Sequence, residues 1–138
     1  MHIRPFEAAD EAAVVALWQR CNLTRPWNDP NKDVARKLDV QRELFLVGVE
    51  AGAIVAAVMA GYDGHRGSVN YLAVDPQHRR RGFGRALMQR VEALLAERGC
   101  PKINLMIRSS NADVITFYGR LGYKPDEVIA LGKRLIAD

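Results

Sequence analysis

The stretch LAVDPQHRRRGFGRALM, residues 72–88, joins the end of an apolar run to the start of an amphipathic pattern. Three consecutive arginines, Arg79 to Arg81, precede two glycines, Gly82 and Gly84, that stand one residue apart. The first N–H groups of a helix have no intrahelical partner and carry partial positive charge, and glycine lacks the Cβ that would keep a ligand away. The stretch therefore predicts a strand, a loop that binds a diphosphate, and a helix.

Two common phosphate-binding loops do not fit this stretch. A P-loop places Lys and then Ser or Thr after its last glycine, whereas Arg85 and Ala86 follow Gly84. A dinucleotide-binding loop has a third glycine where Leu87 stands and an acidic residue about 20 positions further on. The segment INLMIRSSN, residues 103–111, contains no acidic residue. The diphosphate therefore belongs to another class of ligand.

The flanking patterns predict a mixed sheet. Three apolar runs separated by glycine turns, residues 44–50, 53–62 and 68–74, indicate an antiparallel meander. Apolar residues then recur at helical spacing from Phe83 until Gly99, which indicates a helix. The passage from residue 68 to residue 108 therefore predicts a crossover between parallel strands.

The remaining segments complete the prediction. A strand at HIRPF leads into a helix that Asp10 is in position to cap, and LTRPWNDPN, residues 23–31, has the composition of a surface loop. The sequence then predicts a helix at residues 32–42, a strand at 102–108, a helix at 111–122 that Asn111 caps and Gly122 ends, and a final strand at 127–136.

Composition restricts the class of protein. A chain of 138 residues with 49% apolar and 26% charged residues predicts a single globular domain over residues 1–138. The net charge of +4 suits an anionic ligand and is too small to require nucleic acid. Cys21 and Cys100 lack metal-ligand spacing, so two reduced thiols and no metal are expected. The longest apolar stretch, residues 53–60, is shorter than a membrane span, which predicts a cytoplasmic protein without membrane contact.

Two motifs resemble those of the GCN5-related N-acetyltransferases, the GNAT family. Arg79, Gly82 and Gly84 match its signature of Gln or Arg, two residues, Gly, any residue, then Gly or Ala. The segment NADVITFYGRLGY, residues 111–123, is similar to a second family segment, and CNLTRPWNDPN resembles small bacterial acetyltransferases called YpeA. The resemblance implies an α/β (α+β) GNAT fold. Its mixed central sheet would have six to seven strands flanked by about four helices, and parallel strands would splay apart at the acetyl-CoA site.

The resemblance also implies roles for particular residues. The pyrophosphate of acetyl-CoA would be held by backbone amides of Arg79, Arg80, Arg81, Gly82, Phe83, Gly84 and Arg85. The pantetheine arm would pair with the backbone of Leu72, Ala73 and Val74, and with the side chain of Asn111. Tyr118 would contact the cofactor and protonate the departing thiolate.

Other roles remain open for these residues. Tyr118 is also a good core residue, Asn111 is a good helix cap, and an arginine run is often a solvated surface. The glutamates that serve as bases in parts of the family correspond to Ser68 and Met106 here. Asp63, Tyr62 and Glu43 are alternative proton acceptors, and Trp27, Asp29 and Asp33 are candidates to receive a cation or to cover a pocket on the acceptor side.

The expected function is transfer of acetyl from acetyl-CoA to a primary amine of a small molecule, peptide or protein. Direct attack in a ternary complex is expected, because neither motif contains a Cys or Ser beside a base. An acyl-CoA-binding regulatory module and a nucleic-acid-binding domain are the alternatives. The expected partners are acetyl-CoA and the amine acceptor, without nucleic acid, and a homodimer is left open.

Overall fold

The computed structural model describes residues 1–138, and these divide into two compact units. The first contains residues 1–104 together with Asp138, and the second contains residues 105–137. The single domain expected over residues 1–138 stays a prediction.

A five-stranded sheet forms the centre of the first unit. Its strands lie in sequence order: β1 (His2–Pro5), β2 (Phe45–Glu50), β3 (Ala53–Tyr62), β4 (Gly67–Val74) and β5 (Ile103–Asn104). The first four are antiparallel, and β5 pairs in parallel with β4 at Gly67 and Ser68. The predicted meander and the parallel crossover are therefore confirmed. The register places Gly67 opposite Tyr62 at one end of the sheet, and Val74 opposite Ala56 towards the other end.

Three helices accompany this sheet: α1 (Glu11–Arg20), α2 (Pro30–Leu38) and α3 (Phe83–Glu97). Helix α2 starts earlier than expected because Asp29 caps it and Pro30 occupies its first turn. The Asp29 Oδ1 atom accepts the N–H groups of Asn31 at 2.9 Å and Lys32 at 3.3 Å.

Asp10 occupies the N-cap position of α1 as predicted, but its side chain makes no capping hydrogen bond to that helix. Its carboxylate accepts two hydrogen bonds from Arg4, at 2.7 and 3.0 Å, and one from the Glu7 N–H at 2.8 Å. These donors favour the charged carboxylate, and the Arg4 contact contributes most to holding its pKa below the usual value. The side chain therefore ties the end of β1 to the residues that lead into α1.

Burial shows that the sheet is covered on both faces. Residues 55–60 of β3 are all buried, and successive residues of a strand point to opposite faces. One cluster of buried side chains includes Phe6, Leu17, Trp18, Phe45 and Ala57. Helix α3 supplies the buried side chains of Leu87, Met88, Val91 and Leu95. Each large side chain of this kind contributes about 1.5–3 kcal/mol when removed from water.

The second unit contains helix α4 (Ala112–Arg120). The Asn111 Oδ1 atom accepts the Val114 N–H at 3.3 Å and caps the helix as predicted. Gly122 has a φ of +94°, and the following Tyr123 N–H returns to the Tyr118 carbonyl at 3.1 Å. This is the hydrogen-bond pattern of a helix ended by a left-handed glycine.

Two predicted strands differ in the structure, and the sheet has five strands rather than six to seven. The strand expected at residues 102–108 forms only at Ile103–Asn104, and residues 127–136 form no strand. In the latter segment Val128, Ile129 and Leu131 are 77%, 87% and 93% exposed. Apolar content and β-branched residues favour a strand, but a strand also needs a hydrogen-bonded neighbour, which this segment does not have.

Candidate active site

The candidate site begins where β4 ends. After Val74 the chain makes one turn of 3-10 helix at Pro76–His78 before it reaches the arginines. Asp75 stabilises this turn, because its Oδ1 atom accepts the Gln77 N–H at 3.0 Å. The turn accounts for the separation between strand and glycines that distinguishes this loop from a dinucleotide-binding loop.

The start of α3 presents backbone donors. The first hydrogen bond that closes the helix joins the Ala86 N–H to the Gly82 carbonyl at 3.0 Å. The N–H groups of Phe83, Gly84 and Arg85 therefore have no intrahelical acceptor and lie at the positive end of the helix dipole. An anion that reaches this end of α3 is bound by backbone atoms.

The loop before α3 contains two residues in the left-handed region. Arg80 has a φ of +64° and Gly82 a φ of +78°. Left-handed residues within such a loop turn successive N–H groups towards a shared concave surface that suits an anion. A Cβ built on Gly82 would meet no heavy atom within 4 Å, so space is available beside the loop. These features fit a diphosphate group.

The arginine side chains make contacts of their own. Arg79 Nε donates to the Val74 carbonyl at 3.3 Å, which joins the loop directly to the end of β4. Arg81 lies 3.3 Å from the Glu50 carboxylate, and its guanidinium stands 4.9 Å above the centre of the Phe83 ring. The arginine run is therefore partly held by the protein rather than wholly solvated.

The structure brings the predicted backbone edge close to this loop. Ala73 and Val74 pair with β3, whereas Leu72 lies in an irregular step of that ladder. On the other side of β4, the ladder with β5 ends at Ser68. The segment formed by Leu72, Ala73 and Val74 is thus at the end of β4 that leads into the arginine loop.

Tyr118 and Asn111 belong to the second unit. Tyr118 is buried, and its ring contacts those of Phe117 and Tyr123 edge-on, with centroids 5.1 and 5.4 Å away. Burial raises the pKa of the Tyr118 hydroxyl to about 12, because the charged phenolate loses its hydration. Asn111 uses its side-chain oxygen as the cap of α4, which leaves its amide group to donate.

Comparison with known proteins identifies the family. The family model described as the acetyltransferase (GNAT) family matches residues 12–123. The chain belongs to this family. It is 54% identical over 138 residues to an acetyltransferase of Yersinia enterocolitica, with 100% of this chain and 98% of the relative covered.

Two solved structures show the same fold. Ard1 from Thermoplasma volcanium matches this acetyltransferase with a TM-score of 0.79 and 28% identity, over 88% of this chain and 80% of that one. The ribosomal-protein-S18-alanine N-acetyltransferase of Escherichia coli matches with a TM-score of 0.72 and 28% identity, over 88% and 76% of the two chains. The predicted GNAT fold is therefore confirmed.

The protein is thus an acyltransferase of a family that uses acetyl-CoA. The closer likeness to the YpeA group and the cytoplasmic location stay predictions. None of the helices combines the length and the apolar character needed to cross a membrane. The structure also contains no group of three or more His, Cys, Asp or Glu residues arranged to hold a metal.

The three alternative proton acceptors of this acetyltransferase lie at the end of the sheet opposite to Ala73. Tyr62 pairs with Gly67, Asp63 follows it in the turn, and Glu43 lies just before β2 at the same end. Ala73 is six positions after Gly67 along the strand, a distance of roughly 20 Å. Each acceptor is also engaged: Asp63 accepts the His65 and Arg66 N–H groups at 2.7 Å, and Glu43 pairs with Arg98 at 2.9 Å.

Sequence reasoning missed Tyr71, the residue directly before the predicted backbone edge. It has a φ of +53°, and its hydroxyl donates to Asp33 Oδ2 at 2.7 Å. It also missed Glu50, the partner of Arg81. No local pattern signals either contact, because the partners are far apart in sequence. Asp33, considered as a cation receptor, therefore binds a protein hydroxyl in the structure.

Proposed function

We propose that this acetyltransferase transfers acetyl from acetyl-CoA to a primary amine by direct attack in a ternary complex. The observation that carries the proposal is the set of open N–H groups at the start of α3, joined by the Arg79–Val74 hydrogen bond to the end of β4. A donor loop and a strand edge side by side suit a ligand with both a diphosphate and an amide-bearing arm.

The residues of the first unit bind and orient the acetyl donor, whose thioester supplies the activated acetyl group. Backbone N–H groups from Arg79 to Arg85 hold the pyrophosphate, and the arginine side chains add positive charge around it. Backbone groups of Leu72, Ala73 and Val74 pair with the pantetheine arm. An N–H at Ala73 or Val74 stabilises negative charge on the thioester oxygen as the amine attacks.

Asn111 and Tyr118, in the second unit, have the roles that the family resemblance implies. The free amide group of Asn111 hydrogen-bonds the cofactor arm. Burial raises the pKa of the Tyr118 hydroxyl to about 12, so this hydroxyl is protonated at neutral pH. A protonated hydroxyl is the form needed to deliver a proton to the departing thiolate.

An acyl-enzyme is not expected, because each cysteine thiol donates to a backbone carbonyl. The Cys21 thiol donates to the Val74 carbonyl at 3.3 Å, and the Cys100 thiol donates to the Lys102 carbonyl at 3.4 Å. A nucleophilic thiol needs a neighbouring base or positive charge that stabilises the thiolate.

The deciding experiment is incubation with acetyl-CoA and a panel of amines: polyamines, amino acids, aminoglycosides and peptides. The panel includes a peptide with an amino-terminal alanine, because the 28% identical Escherichia coli enzyme is named for such an acceptor. Release of free thiol is followed together with the mass of the product. We expect a gain of one acetyl group on at least one amine. Binding of acetyl-CoA without turnover of any member would favour the regulatory module.

A further inference from the structure

Strand β4 contains a bulge next to the proposed thioester site. Met59 pairs with Asn70 and Ala57 pairs with Ala73, so two residues of β4, Tyr71 and Leu72, lie opposite the single intervening residue of β3. An extra residue of this kind bends its strand and redirects the groups that follow. Tyr71 is left-handed at this point, with a φ of +53°.

A left-handed tyrosine needs outside support. Residues with a Cβ are sterically disfavoured in this region, and they persist there only when surrounding contacts over-determine the conformation. Such residues are concentrated at active sites and ligand-binding segments. The contacts of the Tyr71 side chain must therefore support the left-handed conformation at the bulge.

Three side chains hold Tyr71, and we call them the Tyr71 clamp: Trp18, Asn28 and Asp33. The Trp18 ring stacks on the Tyr71 ring, with centroids 3.9 Å apart and planes inclined by 16°. Tyr71 donates its hydroxyl to Asp33 Oδ2 at 2.7 Å, and Asn28 Nδ2 donates to the Tyr71 oxygen at 3.0 Å. One ring face and both hydrogen-bonding directions of the phenol are thus occupied.

The clamp is itself held in place. Trp18 is fully buried and stacks on Phe45 at 6.2 Å, and its indole N–H has no hydrogen-bond partner, so its contribution is packing. Asp33 accepts a further hydrogen bond from the Asn28 amide, and Arg36 contacts its other oxygen at 3.2 Å. The clamp therefore connects α1, the loop before α2, and α2 to a single residue of β4.

We propose that Tyr71 is a positioning residue for acetyl transfer. By holding Tyr71 left-handed, the clamp sets the direction of the backbone N–H groups of Leu72 and Ala73, which follow it immediately. This inference rests on the proposed function, in which these groups receive the cofactor arm and the thioester oxygen. Asp33 acts here as a hydrogen-bond acceptor for Tyr71, and the amine does not transfer its proton to it.

The first test is Tyr71→Phe, which removes the hydroxyl and keeps the ring on Trp18. We expect kcat to fall about tenfold, the size of one lost hydrogen bond to a charged group, with the Kd of acetyl-CoA changed less than about twofold. Tyr62→Phe is the matched control for the loss of a tyrosine hydroxyl in the resonance measurement described below, because the Tyr62 hydroxyl donates to the Gly64 carbonyl, at 3.3 Å, at the other end of β3.

The second test separates positioning from proton transfer. Asp33→Asn keeps an oxygen that accepts the Tyr71 hydroxyl, whereas Asp33→Ala does not. We expect Asp33→Asn to retain kcat within about threefold with an unchanged pH profile, and Asp33→Ala to lose as much as Tyr71→Phe. Equal losses in both Asp33 variants, with the acidic limb of the pH profile removed, would make Asp33 a proton acceptor and overturn the positioning role.

The third measurement needs neither acetyl-CoA nor an amine. In the free protein, the backbone amide resonances of Leu72 and Ala73 should shift or broaden in Tyr71→Phe and stay in place in Tyr62→Phe. Unchanged resonances would overturn the clamp even if the enzyme is active. Changed resonances in a protein that acetylates no amine would instead support the clamp and refute the proposed function. Changed resonances with full activity would show that the bulge does not position the reaction.

Discussion

At the residue scale, Tyr118 shows how one buried side chain suits two roles. Its ring packs edge-on against Phe117 and Tyr123, as a core residue would. These ring contacts do not require the hydroxyl, which is therefore the group that a role in catalysis would use. Removal of the hydroxyl alone therefore distinguishes chemistry from packing.

Tyr118→Phe should lower kcat about 10²-fold and leave the Kd of acetyl-CoA nearly constant, because the lost proton donor acts in the transition state. The melting temperature should barely change, since the ring and its contacts with Phe117 and Tyr123 are kept. The measurement is steady-state kinetics with an acceptor from the amine panel, beside calorimetry of acetyl-CoA binding. Full activity in this variant would assign Tyr118 to packing and leave the acid unidentified.

The pH dependence of stability provides a control for the same variant. Burial raises the pKa of Tyr118 from 10.0 to about 12, so the folded protein keeps a proton that the unfolded chain loses above pH 10. This contribution to stability is fully present below pH 10 and is lost as the pH rises towards 12. Tyr118→Phe should lack this part of the decline, which urea denaturation at several pH values measures.

At the element scale, the glycines at the two ends of α3 have the same backbone strain, but only one end of the helix is suited to bind an anion. Gly82 before the helix and Gly99 after it both have a φ of +78°, and a Cβ on either meets no heavy atom within 4 Å. A side chain at either position meets similar conformational cost, about 1–2 kcal/mol. Only the amino-terminal end presents open N–H groups to an anion.

Gly82→Glu should therefore weaken acetyl-CoA binding by at least about 2 kcal/mol, more than tenfold in Kd, because it places bulk and negative charge at the proposed pyrophosphate site. Gly99→Glu is the control, with similar strain and the same added charge at the opposite end of the helix. Calorimetry on both folded variants compares them. Equal affinities would remove the pyrophosphate from the start of α3.

At the scale of the whole molecule, several of the 20 basic side chains are paired with carboxylates. Arg81 pairs with Glu50, Arg20 with Asp75, Arg98 with Glu43, and Arg36 with Asp138. A nucleic-acid-binding surface needs a stripe of basic side chains directed at phosphates. The pairing of Arg81 within the arginine run reduces what that run offers to a polyanion.

We expect no binding of duplex or single-stranded nucleic acid tighter than roughly 10⁻⁶ M at physiological salt, the range of non-specific association. Acetyl-CoA affinity should fall far less steeply with salt, because the backbone supplies most of its contacts. Fluorescence anisotropy with both kinds of nucleic acid at several salt concentrations, beside acetyl-CoA calorimetry, measures the difference. Tight, sequence-dependent nucleic-acid binding would favour the third function considered.

The sequence by itself determined the features that depend on local geometry. Gly82 and Gly84 after three arginines indicated the anion-binding loop, and helix boundaries at Asn111 and Gly122 followed from capping and left-handed glycine. The glycine turns between apolar runs likewise predicted the meander. Each of these depends on residues within one turn of each other, so a single sequence contains the whole cause.

Only the tertiary structure decided the features that depend on distant partners. Residues 127–136 have strand composition and pair with nothing, because a strand needs a neighbour that composition does not specify. The side chain of Asp10, at the N-cap position of α1, pairs with Arg4 instead of with an N–H group of the helix. The left-handed Tyr71 depends on the register of β3 and on Asp33, 38 positions away. Contacts of this kind form only when the packed chain brings separate elements together. A local sequence pattern therefore does not predict them.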